Sequence, residues 1–146
     1  MKAYEFIKRE IDVNIEGITL LSIEEAEELP QTVRVCEESW WLRTPGDGSD
    51  CAAVVRSGGS VDYIGYDVYD CFAAVRPALK IANIKAYRPY EDKLEVFRIN
   101  WIYIGDNLWL AEEPIFHSEF DEESNNYEKS EIKKELEDWL KKREIT

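Results

Sequence analysis

The sequence predicts a single α+β domain, a mixed sheet with short helices closed by a C-terminal amphipathic helix. Three observations carry that expectation. Between residues 40 and 111, short apolar runs rich in Val, Ile, Trp and Tyr are separated by Pro-Gly, Gly-Gly and Gly-Asp-Asn turns, the punctuation of strands. After Tyr127, the residues Ile132, Leu136, Trp139 and Leu140 recur at helical spacing. The 146 residues are 45% hydrophobic, enough for one core, and contain no linker or internal repeat, so 1–146 reads as one domain.

The elements follow in order. Residues 2–9 suit a short helix or strand, and 11–21 read as extended because Ile11, Val13 and Ile15 alternate with Asp12, Asn14 and Glu16. Ser22 followed by Glu25 is a capping box, in which each side chain takes a backbone N–H at the helix start. Ile23, Ala26 and Leu29 form the buried stripe of that helix, its glutamates a solvated face, and Pro30 stops it. "CAAVV" reads as a buried strand, "SVDYIGYDV" as a strand interrupted by Gly65, and "FAAVRPAL" as a strand ended or edged by Pro77. "KLEVFRINWIYIGDNLWLAEE" reads as one hairpin whose arms meet at Gly105-Asp106-Asn107. "HSEFDEESNN" is a polar loop. The last helix ends in Lys141, Lys142 and Arg143, as its dipole favours.

Charge limits the function. With 31 acidic and 18 basic side chains the formal net charge is −13, which opposes direct binding to nucleic acid and favours a protein partner with a basic surface. No apolar run approaches the ~20 residues of a spanning helix, and the first residues lack a secretion signal, so neither a membrane nor export is expected. The odd count of Cys36, Cys51 and Cys71 predicts reduced thiols in a cytoplasm, with a single Cys51–Cys71 bridge as the alternative. His117 is the only histidine, and no CxxC or HxxxH spacing accompanies it, so no metal or other cofactor is expected. No nucleophile–base pair or carboxylate pair stands out by spacing, and a non-enzyme is expected.

The order L-L-S-x-E-E-A, W-W-L-R-T-P-G, G-G-S-V and V-R-P-A-L, over roughly residues 20–81, resembles bacterial and phage domains of unknown function. These carry W-W-L-R-S-P-G, then G-S-V, then V-R-P-A-L; Thr44 stands here where Ser is usual. The resemblance implies a fold akin to C-type lectins and formylglycine-generating enzymes. The cysteine-pair motif of the latter and the calcium-dependent sugar signatures of the former are absent. The segment "FRINWIYIGDNLWLAEEPIF…YEKSEIKKELEDWL" is similar to one that precedes the L-L-S-x-E-E-A stretch in that family, which implies a circular permutation.

Within the motif, Trp40, Leu42, Ala52, Ala53, Val55, Val75 and Leu79 read as core, and Arg43 and Arg76 as structural hydrogen-bond donors. Trp41 reads as half core and half rim. Asp47, Ser49, Asp50, Asp62, Tyr63, Tyr66, Asp67, Tyr69 and Asp70 remain, with the tyrosine-and-small-polar composition of a paratope, and all of them but Ser49 and Asp62 are candidate contact residues. The resemblance implies the same region, since related lectin-like proteins diversified by retroelements carry their target-binding positions before V-R-P-A. Strand alternation puts Tyr63, Asp67 and Tyr69 on one face and Tyr66 and Asp70 on the other, unless Gly65 introduces a bulge. The leading expectation is a protein-binding domain of bacterial or phage origin that uses these residues and Trp41. The alternative is an acidic counter-defence inhibitor, of the anti-CRISPR or nucleic-acid-mimic type. Its carboxylates at 24–28 and 112–123 would occupy the basic groove of a host nuclease.

Overall fold

The computed structural model describes residues 13–70 and 73–144. The expectations for residues 2–9 and for Cys71 lie outside them. Ten strands are described: β1 (Ile15–Thr19), β2 (Trp40–Pro45), β3 (Cys51–Val55), β4 (Val61–Asp67), β5 (Ala74–Val75), β6 (Ala78–Ile81), β7 (Lys93–Val96), β8 (Ile99–Gly105), β9 (Leu108–Ala111) and β10 (Phe116–His117). Three α-helices accompany them, α1 (Ile23–Glu28), α2 (Gln31–Arg34) and α3 (Glu131–Glu144), and one turn of 3-10 helix spans Tyr127–Lys129. The architecture is mixed α+β, but the strands form two sheets rather than one. Their orders are β1-β6-β9-β8-β7 and β10-β5-β2-β3-β4.

Alternation along the strands builds three apolar clusters. Trp40, Leu42, Ala53 and Val55 of the second sheet meet Ala78, Ile102 and Leu110 of the first, with Ile23, Ala26, Leu29 and Val33 of the α1–α2 segment closing that layer. Trp41, Ala52 and Val54 point the other way, onto Phe120, Ile132 and Leu136. The outer face of the first sheet gathers Leu79, Leu94, Trp101 and Trp109 with Leu140 and Trp139 of α3. Both faces of Trp40–Leu42 in β2 and Ala52–Val55 in β3 are therefore buried, which is why those runs are continuously apolar. Helix α3 spans both sheets. Its first turns cover Phe120, and its later turns place Trp139 edge-on to Trp101, with ring centroids 6.4 Å apart.

The capping box forms as expected: Glu25 N–H donates to Ser22 Oγ at 3.1 Å, and Ser22 N–H donates to Glu25 Oε1 at 2.9 Å. Glu25 also takes Arg43 Nη1 at 2.6 Å, so it is not part of a solvated face. Pro30 ends α1 and is itself the N-cap of α2, a turn of helix the sequence reading did not separate.

Two strand expectations are corrected. "FAAVRPAL" is not one strand. Residues 74–75 belong to the second sheet and 78–81 to the first, and Arg76-Pro77 carries the chain across. Pro has no N–H for either ladder, and Arg76, 1% exposed, ties the crossing together. Its Nε, Nη1 and Nη2 donate to the carbonyls of Ala111 (2.8 Å), Val33 (2.8 Å) and Glu112 (3.2 Å), above the Trp40 ring. Likewise, 93–105 is two arms. Phe97 and Arg98, at φ 58° and 64°, form a two-residue turn between β7 and β8. No Gly or Asn marks it; the edge-on contact of Phe97 with Trp139, at 5.8 Å, accompanies it instead. The Asp106-Asn107 turn, with φ 52° and 64°, lies where expected.

Candidate functional site

Strand β4 is the last strand of its sheet, and its middle is displaced outward. Asp62 pairs with Val54 and Tyr66 with Ala52, so Tyr63, Ile64 and Gly65 stand opposite Ala53 alone. This bulge has identifiable causes. Asp62 Oδ1 accepts the N–H groups of Ile64 and Gly65, each at 3.0 Å, and Oδ2 holds Arg56 Nη2 at 2.7 Å. Burial alone would raise the Asp62 carboxyl, but the Gly65 N–H, Arg56 and the Ile64 N–H together hold it below its ordinary range. Gly65 takes φ +81°, the left-handed region that glycine enters freely.

The neighbouring loop, 46–50, is fastened to the bulge. Asp47 N–H donates to the Ile64 carbonyl at 2.9 Å, and Val68 N–H to the Asp50 carbonyl at 2.8 Å. From the other side, Asn125 Nδ2 donates to the carbonyls of Gly48 (2.8 Å) and Cys51 (2.9 Å). The backbone is thus held from three directions while its side chains face outward. Tyr63, Ile64 and Tyr69 are 55%, 64% and 56% exposed. The Tyr63 hydroxyl donates to Glu27 of α1.

Asp47, Asp50 and Asp67 collect around Cys51. Its Sγ donates to Asp67 Oδ1 at 3.5 Å, and burial first, then that bond and the three carboxylates, push the thiol up to about 11. Such a thiol is protonated at neutral pH and is a poor nucleophile. The Asp67 charge also raises the Tyr69 phenol. Both Cys36 and Cys51 are free thiols.

The structure therefore gathers Asp47, Asp50, Asp67 and Tyr69 around Cys51, sets Tyr63 on the adjoining bulge, and leaves Asp70 half-buried just after β4. It separates the other two. Trp41 is fully buried, not half rim: it lies edge-on to Phe120 at 5.6 Å and donates Nε1–H to the Ser118 carbonyl at 2.9 Å. Tyr66 turns inward onto Trp41 at 6.2 Å, and its hydroxyl is 3.1 Å from Ser39 Oγ. Both are supports for the surface. Ile64 was missed, although an exposed β-branched residue next to a strand glycine was the available signal.

Among the described residues no His, Cys, Asp and Glu cluster has the arrangement to hold a metal, and no helix is long and apolar enough to cross a membrane. Comparisons with family models, curated proteins and solved structures found no match to this chain.

Proposed function

We propose that this chain is a non-enzymatic protein-binding domain that contacts its partner through the bulged β4 edge and the 46–50 loop. One observation carries the reading. Of five large hydrophobic side chains exposed on the described surface, three (Tyr63, Ile64 and Tyr69) lie within seven residues. Apolar side chains presented on a pinned backbone lose little entropy on binding, and aromatic anchors of this kind dominate interfaces. The surrounding aspartates suit a basic partner and set its orientation and association rate.

A C-type-lectin-like fold, circularly permuted, belongs to the same proposal. It draws on the W-W-L-R-T-P-G and V-R-P-A-L motifs, on the mixed α+β architecture and on an irregular surface before V-R-P-A. A bacterial or phage origin draws on the same motifs, and a cytoplasmic residence on the two free thiols.

The runner-up is the acidic inhibitor of a nuclease groove. Carboxylate crowding at the start of α3 favours it: after burial, Glu122, Asp121, Glu119 and Glu135 hold Glu131 above its ordinary range. Against it, Glu112 is bound to Lys93 at 3.1 Å, and Asp121 accepts the backbone N–H groups of Glu123, Ser124 and Glu131. These carboxylates are committed within the fold. Capture of partners from a bacterial lysate at low and high salt separates the readings. A partner retained at high salt supports the tyrosine surface, whereas one lost steeply as the ~8 Å screening length shortens points to charge mimicry.

A further inference from the structure

At the opposite edge of the second sheet from β4, beside β10, lies a cleft of about 800 Å³. Phe116 and His117 form one wall, Lys93 and Ile102 of the first sheet another, and the segment after α2 a third. Its volume falls within the ~300–1,000 Å³ of ordinary binding sites. The sign of its rim can be read from its ion pairs. Lys93 is held by Glu112 at 3.1 Å and His117 by Glu38 at 2.6 Å. The Arg76 charge lies beneath, enclosed by three carbonyls and the Trp40 ring. Glu37 and Glu113 also line the cleft, both exposed, and make no ion pair among the described residues. The accessible charge is therefore negative. Next to it stands Val35, an aliphatic side chain 46% exposed. Finally, β10 ends its sheet and pairs only with β5 among the described residues.

We propose that this cleft is a second recognition site, distinct from the tyrosine surface, that takes an extended peptide along the β10 edge. The peptide presents a basic side chain to Glu37 and Glu113 and an apolar one to Val35. An unpaired strand edge supplies main-chain hydrogen bonds, and side-chain subsites beside it supply specificity. Cys36, which also lines the cleft, does not make it a reaction centre. Burial holds that thiol above its ordinary range, and Glu113, Glu37 and Glu38 add to the effect against the pull of Arg76.

The test is fluorescence anisotropy of the full chain with a short labelled peptide alternating Val and Arg, against one alternating Val and Glu. The Val–Arg peptide should bind and the Val–Glu peptide should not. Glu37→Lys with Glu113→Lys should weaken binding about tenfold or more, and Val35→Ser by a smaller factor. Reversing the same number of charges at Glu135 and Asp138, on the exposed face of α3, should leave it unchanged, with thermal melts confirming that each variant folds. Equal losses from the two double variants would reduce the binding to net-charge attraction and overturn the proposal. So would equal binding of both peptides, no binding by the unaltered chain, or displacement by free arginine amide as effective as by unlabelled peptide.

Discussion

Gly65 lies so close to Ala52 that a β-carbon on it would stand 1.9 Å from the Ala52 carbonyl oxygen, and its φ is +81°. Both facts forbid a side chain there without moving the β3–β4 ladder. Gly65→Ala should destabilise the domain by at least about 2 kcal/mol, read as a lowered denaturant midpoint. An unchanged midpoint would show that the bulge is not held as described.

The second prediction concerns acid. Asp62, Asp92 and Asp121 are each held below their ordinary carboxyl range: burial would raise them, but backbone N–H groups (and Arg56 or Arg88 for the first two) outweigh it. A carboxyl with a depressed folded value contributes stability that is full above its unfolded value and lost as pH falls through its folded one. Thermal midpoints should therefore fall below about pH 4, and Asp121→Asn should make that fall shallower. An identical acid limb in the variant would refute the assignment.

Cysteine reactivity gives the third. With its thiol near 11, Cys51 should react with iodoacetamide at neutral pH at least about tenfold more slowly in the folded chain than in denaturant. Asp67→Asn should speed the folded reaction. In denaturant without reductant, mass spectrometry should find three alkylated cysteines; one alone would show a bridge.

The fourth tests the closing helix. Trp139 contacts Trp101, Phe97 and the guanidinium of Arg143, the last 4.0 Å above its ring. Being half-buried, it should lose about 2–4 kcal/mol on Trp139→Ala, and a chain ending near residue 125 should fail to fold stably. Stability equal to that of the full chain would remove α3 from the core.

What could be read in advance followed from local chemistry. Ser22 with Glu25, Asp106 with Asn107, and the apolar stripe of Ile132 and Leu136 each announce their structure within a few residues. What could not be read depended on distant partners. Phe97 and Arg98 adopt a turn conformation that no turn residue signals. Arg76-Pro77 changes sheet because carbonyls of Val33, Ala111 and Glu112 converge on one guanidinium. Trp41 and Tyr66 carry the same composition signal as Tyr63 and Tyr69, but Phe120 and Ser39 claim them for the interior. Composition marked the segment, and only packing could say which of its aromatics face out.

The most direct measurement compares Tyr63→Ala with Tyr69→Ala against charge reversal of Glu119, Glu122 and Glu123, each tested for binding of the same captured partner, with folding checked by melts. If the β4 edge is the contact surface, the tyrosine pair weakens binding by about thirtyfold or more per anchor, and the charge reversal changes mainly the association rate. Binding that survives loss of both tyrosines and disappears on charge reversal would contradict the account and leave the acidic inhibitor in its place.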